Sequence, residues 1–274
     1  MTAVAVLQMT AGIDPAANAA TLEQAIARAA AGGAAMLFTP EMSGLIDRDR
    51  SRAAPHLVGE DKDPVLARVR AAAAEHRLWV NLGSLAVREA DGRLANRGYV
   101  IDDTGAIRAR YDKMHLFDVD LPSGESWRES ASYGPGERAV VVDTPVGRLG
   151  LAICYDLRFP ALFAALTEAG ATILSVPAAF TRPTGAAHWH ILLRARAIEA
   201  GVHLVAAAQT GEHQDGRTTY GHSLVVGPWG DVLLDMDDPA GLGFATIDAG
   251  QVDAVRERLP AIRHRRPIPP VERA

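Results

Sequence analysis

The chain has 274 residues, 48% of them hydrophobic and 22% charged, which suits one large domain over 1–274 with a sizeable core and a tail from about residue 260. A formal net charge of −5 argues against the basic face that nucleic acid or an anionic membrane surface requires. No apolar run reaches the ~18 residues of a membrane helix, and a single cysteine admits no internal disulfide, as expected of a cytoplasmic protein.

Residues 4–9 form a short apolar run without a positive leader ahead of it, so they read as a first strand rather than a signal peptide. Asp14-Pro15 then supplies a cap and a first-turn proline for a helix with Leu22, Ala25, Ile26 and Ala29 at helical spacing, ended by Gly32-Gly33. Residues 35–39 read as a buried strand, and Glu41 stands just past its end. As an isolated acid, Glu41 is either a solvated loop residue or a positioned base.

Asp63-Pro64 opens a second helix, closed by Glu75-His76-Arg77. Residues 78–87 read as one or two strands, and the turn signals Asp91-Gly92 and Asp103-Thr104-Gly105 set off 94–101 and 106–111 as an antiparallel meander. That meander runs into Asp112-Lys113-Met114-His115. Residues 118–137, rich in Pro, Gly, Ser and acids and including Trp127 and Glu129, read as a long ordered loop at an active site.

Strands at 140–142 and 148–153 are joined by a Thr-Pro-Val-Gly turn. The second runs straight into Cys154 and a helix start, which exposes the thiol at the carboxyl end of a sheet, where reacting groups of α/β folds collect. A lone cysteine is commonly a small core hydrophobe, so its neighbours decide the matter. A helix at 161–169, a strand at 172–176, a loop at 177–187, a helix at 189–200 and a strand at 202–208 follow. After a loop at 211–221 come strands at 223–226, 231–234 and 243–247, a helix from Asp248 to Leu259, and a basic tail with four prolines. Strands alternating with helices, yet including hairpins, predict an α/β fold with two mixed sheets packed face to face and helices outside, a four-layer αββα sandwich.

Three segments now carry a resemblance: Pro40-Glu41; Asp112-Lys113-Met114-His115-Leu116; and Ile153-Cys154-Tyr155-Asp156-Leu157-Arg158-Phe159-Pro160. In this order they resemble the Glu-Lys-Cys triad of the nitrilase superfamily of carbon–nitrogen hydrolases. His188-Trp189, the 193–199 segment, Tyr220-Gly221-His222-Ser223, Pro228-Trp229-Gly230 and the late His264-Arg265-Arg266-Pro267 are similar to the deaminated-glutathione amidase branch, from which His190 departs where animal members tend to be acidic. The resemblance implies hydrolysis of a small-molecule amide through a thioester, without metal or organic cofactor, by a homodimer or larger assembly. In that branch the substrate is the 2-oxo form of glutathione and the products are 2-oxoglutarate and Cys-Gly. The related omega-amidases cleave 2-oxoglutaramate, and other superfamily members are amidases or carbamoylases.

The chemistry is coherent beside the resemblance. A thiol with pKa near ~8.5 needs a base to attack an amide at neutral pH. Glu41 would be that base, and Lys113 with the backbone N–H of Tyr155 would face the oxyanion. The resemblance places Glu129 beside the lysine. Arg158, Arg182 and His188 are the candidates for holding the substrate, since a 2-oxo acid needs a cation, and Arg194 and Arg196 read rather as structural ion pairs. His115 reads as a structural histidine. His188 and His190 fall on different sides of a helix with no third ligand suggested by spacing, so no metal is expected. The alternative of another class is a catalytically idle binding protein of the same fold, disfavoured because every reacting position is filled.

Overall fold

The computed structural model describes residues 1–120, 124 and 126–273. In chain order its elements are β1 (Thr2–Gln8), α1 (Pro15–Ala31), β2 (Met36–Phe38), α2 (Arg50–Ala53), α3 (Pro64–His76), β3 (Trp79–Arg88), β4 (Leu94–Ile101), β5 (Ile107–Asp112), β6 (Asp118–Asp120), β7 (Ser126–Arg128), β8 (Val141–Thr144) and β9 (Gly147–Leu151). There follow α4 (Pro160–Glu168), β10 (Ile173–Ser175), α5 (Arg182–Ala200), β11 (His203–Ala206), β12 (Thr210–Glu212), β13 (Thr218–Tyr220), β14 (Leu224–Val226), β15 (Val232–Asp235), β16 (Gly241–Ile247) and α6 (Ala249–Arg258).

Local chemistry accounts for the helix starts. The carboxylates of Asp14 and Asp63 accept from Ala16 N and Leu66 N, at 2.9 Å each, and a proline occupies the first turn after each acid. Two six-stranded sheets result, ordered β16-β1-β2-β3-β4-β5 and β15-β14-β11-β10-β9-β8. Each has three adjacent parallel strands, β1, β2 and β3 in one and β9, β10 and β11 in the other, flanked by antiparallel partners.

Period-two alternation in β1 shows how the layers form. Ala5 and Leu7 pack against Leu22 and Ile26 of α1 and Val69 of α3, while Val4 and Val6 face Leu149, Leu151 and Val205 of the other sheet. A third cluster packs Phe163 and Leu166 of α4 and Trp189 and Leu193 of α5 on the outer face of the second sheet. The αββα sandwich is therefore as expected.

Residues 78–87 give one strand, β3, an outcome the sequence reading allowed, with a register irregularity between Leu82 and Leu85. Three details differ from that reading. The expected loop at 211–221 carries the antiparallel β12–β13 ladder. The 118–137 segment contains the β6–β7 ladder and a 3₁₀ turn over Glu129–Ala131. The 177–187 loop ends early, because α5 begins at Arg182; Pro183 sits in its first turn, and Gly185, where a Cβ would lie 2.3 Å from the Tyr220 ring, permits close packing rather than breaking the helix.

Candidate functional site

The strand directions bring the reacting groups together. β5 runs parallel to β2 after two reversals, so Glu41 and Lys113 leave the first sheet at the same end, and Cys154 leaves the second just past β9. Cys154 has φ 49°, a left-handed conformation unusual for a residue with a Cβ, on the elbow between Ile153 and a 3₁₀ turn over Cys154–Arg158. Asp156 fixes that elbow. Its buried carboxylate accepts from Ile153 N at 2.8 Å, Tyr111 Oη at 2.7 Å and His115 N at 3.0 Å, and pairs with His115 Nδ1 at 2.7 Å. His115 stacks on Phe159 at 3.6 Å, in the structural position expected of it.

Lys113 Nζ donates to Glu41 Oε1 at 2.9 Å and to Glu129 Oε2 and Oε1 at 2.8 and 3.1 Å. Burial works against this ammonium, but the carboxylates of Glu129 and Glu41 outweigh it and hold its pKa well above the usual lysine range. Glu41 Oε2 accepts from Ala179 N at 2.9 Å, and Glu129 Oε2 from Phe117 N at 2.7 Å, so both acids are anchored by backbone. Burial pushes the Cys154 thiol well above its ordinary pKa; the Glu41 carboxylate adds to this and Lys113 opposes it.

Sequence reasoning missed Asn96. Its Nδ2 donates to Glu41 Oε1 at 2.9 Å and Glu129 Oε1 at 3.2 Å, clamping the two acids around the lysine. In β4 it reads only as a polar strand residue.

Glu41, Lys113, Glu129, Cys154 and Tyr155 line one cavity of about 670 Å³, large enough for a drug-sized ligand. Phe117, Trp127, Tyr133 and Phe180 supply apolar wall, and Phe117 packs edge-on to Tyr155 at 5.1 Å. The cations there are not the expected ones. Arg158, Arg182 and His188 are absent from the lining: Arg158 lies behind the wall, over the Phe180 ring at 5.6 Å and 3.3 Å from His188 Nδ1, and Arg182 pairs with Asp238 at 3.4 Å. Arg196 pairs with Glu199, the ion pair anticipated, and donates to Leu157 O, whereas Arg194 Nε donates to the Gly230 carbonyl and forms no ion pair among the described residues.

The lining instead includes Arg48 and Arg217, whose guanidiniums lie 5.9 and 5.3 Å from the Trp127 ring centroid. Asp215 joins them, pairing with Arg217 at 2.8 Å and Arg48 at 3.8 Å. Two cations thus share one carboxylate, leaving net positive charge at the cavity. The buried indole Nε1 of Trp127 donates to nothing among the described residues. These arginines lie in turns, where sequence spacing gives no hint of their meeting.

An αββα sandwich whose cavity holds a cysteine and a buried carboxylate–lysine–carboxylate cluster is the arrangement of a carbon–nitrogen hydrolase. The chain belongs to the carbon-nitrogen hydrolase family, whose model matches residues 3–257. It is 40% identical over 266 residues to the deaminated glutathione amidase of Yersinia enterocolitica, covering 96% of this chain and 92% of that protein. It is 42% identical over 269 residues to the human protein of the same name, covering 96% and 82%. Among solved structures, the Caenorhabditis elegans NitFhit protein superposes with a TM-score of 0.89 at 40% identity over 97% of this chain and 65% of that one. An amidase from Nesterenkonia sp. AN1, with acrylamide added at its active-site cysteine, superposes with a TM-score of 0.79 at 30% identity over 95% and 98%.

Proposed function

We propose that the chain, acting as one domain over 1–274 with its tail after about residue 260, hydrolyses deaminated glutathione to 2-oxoglutarate and Cys-Gly. Cys154 Sγ attacks the amide carbonyl as Glu41 takes the thiol proton. Lys113 and the Tyr155 N–H face the oxyanion, and Glu129 holds Lys113 in line. The C–N bond breaks, Glu41 returns the proton to the amine of Cys-Gly, and a 2-oxoglutaryl thioester remains. Glu41 then deprotonates a water that attacks the thioester, and its proton restores the thiol as 2-oxoglutarate leaves.

The observation that carries this reading is the single hydrogen-bonded cluster of Glu41, Lys113 and Glu129 beside the Cys154 thiol in an arginine-bearing cavity. The amidases at 40–42% identity, whose name states the substrate, support its choice. Arg48 and Arg217 suit a substrate with carboxylates at both ends. The test compares deaminated glutathione with 2-oxoglutaramate at equal concentration, following 2-oxoglutarate and ammonia. We expect faster 2-oxoglutarate release from the first, without ammonia; preference for the second would make the chain an omega-amidase.

No described helix is long and apolar enough to cross a membrane. We infer a cytoplasmic homodimer. Ile191 and Ile198 of α5, Trp229 in the turn against Ile198, and Val232 and Leu233 of edge strand β15 are all at least 40% exposed, and this large apolar face suits a second copy.

A further inference from the structure

One cluster of metal-ligating side chains stands outside the cavity lining. His190 of α5, His222 in the turn before β14 and Asp235 at the end of β15 place their ligand atoms within 4.8 Å of one another. His190 Nε2 lies 2.8 Å from Asp235 Oδ2, and His222 Nδ1 lies 2.9 Å from Oδ1. The spacing of His188 and His190 suggests no third ligand, because the partners of His190 lie 32 and 45 positions further along the chain and meet it only through the fold.

Several features hold this trio in place. His222 adopts φ 53°, left-handed for a residue with a Cβ, and the turn is clamped on both sides: its N–H donates to Asp237 O at 2.8 Å and its carbonyl accepts from Trp189 Nε1 at 2.7 Å. Tyr220 stacks on the His222 ring at 4.5 Å, and Asp237 N donates to Asp235 Oδ1 at 3.0 Å. Among the described residues no lysine or arginine pairs with Asp235, whose side-chain partners are the two imidazoles. The three side chains are 20–32% exposed, so solvent reaches them.

We propose that His190, His222 and Asp235 bind one divalent transition-metal ion, with water completing its shell. Two imidazoles and one carboxylate suit zinc and its neighbours, and the hard oxygen-seeking ions poorly. Metal–ligand bonds of ~2.0–2.2 Å put tetrahedral ligands roughly 3.3 Å apart, so the ring nitrogens close by about 1.5 Å at most. The ion would pin α5 to β15. The site goes beyond the proposed hydrolysis and uses none of its groups.

The test uses the untagged chain with Cys154→Ala, so that the cavity thiol cannot bind metal. After treatment with a chelator, it is titrated with cobalt(II), read by its visible absorption, and then with zinc by calorimetry. We expect one equivalent of each, a thermal midpoint that rises with zinc, and losses of affinity of about 100-fold or more in His190→Gln and Asp235→Asn, beyond what removing a supporting group typically costs. Copper(II) resonance spectra of the chain without either substitution should show two imidazole nitrogens, a readout independent of how the variants fold. Absence of stoichiometric uptake, uptake that survives either substitution, or spectra without the imidazole pair would overturn the proposal.

Discussion

Burial and the Glu41 carboxylate keep the Cys154 thiol protonated through neutral and mildly alkaline pH, so the sulfur must lose its proton as it attacks. The sign of that shift sets the pH profile. A free thiol would gain reactivity as pH passes ~8.5, whereas a thiol titrating well above that gains nothing there. We expect kcat/KM to show no rise centred on the ordinary thiol range, and Glu41→Gln to lower it by about 10²–10⁴, the usual worth of a general base. A profile climbing through that range, or near-normal turnover in the variant, would mean that a preformed thiolate attacks. Arg217 makes a different kind of contribution. Its guanidinium is held by Asp215 and Trp127 before substrate arrives. Arg217→Ala should therefore raise KM about tenfold or more, the loss of one charge-assisted hydrogen bond worth ~1.5–3 kcal/mol, with kcat less affected. Steady-state kinetics separates the two parameters.

Glu41 owes its position to elements that never touch the thiol. Gly83 of β3 passes so close to the preceding turn that a Cβ there would meet Thr39 O at 2.2 Å and Pro40 O at 2.3 Å. Backbone must yield in Gly83→Ala, since neither contact is with a flexible side chain. We expect a loss of about 1–3 kcal/mol in denaturant unfolding, as overpacking usually costs, together with a fall in kcat as Glu41 is displaced. Unchanged kcat with lowered stability would place the strain elsewhere. Elements of this kind also set what could be read in advance. Glu41 and Cys154 were legible because each stands just past a buried apolar stretch, and Lys113 because it is a charged residue at the end of the alternating meander. Glu129 needed the resemblance, since its loop has no periodicity. Asn96 was hidden because a polar residue in an alternating strand reads as the solvent face. Arg48 and Arg217 were illegible because their shared partner, Asp215, stands 167 positions from the first and two from the second. The early start of α5 was misread because Pro183 and Gly185 read as loop signals until Tyr220 supplies the packing that explains the glycine.

At the scale of the whole molecule, the two sheets repeat one pattern of parallel centre and antiparallel flanks, and their sandwich leaves β15 as an edge beside the outer face of α5. An unpaired edge bearing Val232 and Leu233, next to exposed Ile191 and Ile198, is an association hazard unless another copy covers it. Charge is the sharpest probe of that cover, because a carboxylate tolerated in water is costly when buried without a partner. Ile191→Asp, at a position 70% exposed within one protomer, should leave folding untouched yet shift the mass measured by light scattering from dimer to monomer. The reacting groups Glu41, Lys113, Glu129 and Cys154 meet within one protomer, and the monomer is expected to keep its amidase activity if the elements behind the wall hold their places. Thr181 and Thr184, at the start of α5, line that cavity, and Thr181 bridges Thr219 of β13. Loosening α5 should therefore appear first as a higher KM. A variant that stays dimeric would exclude this face as the interface, and one that becomes monomeric with full kcat would show that association supports the site without supplying any part of it.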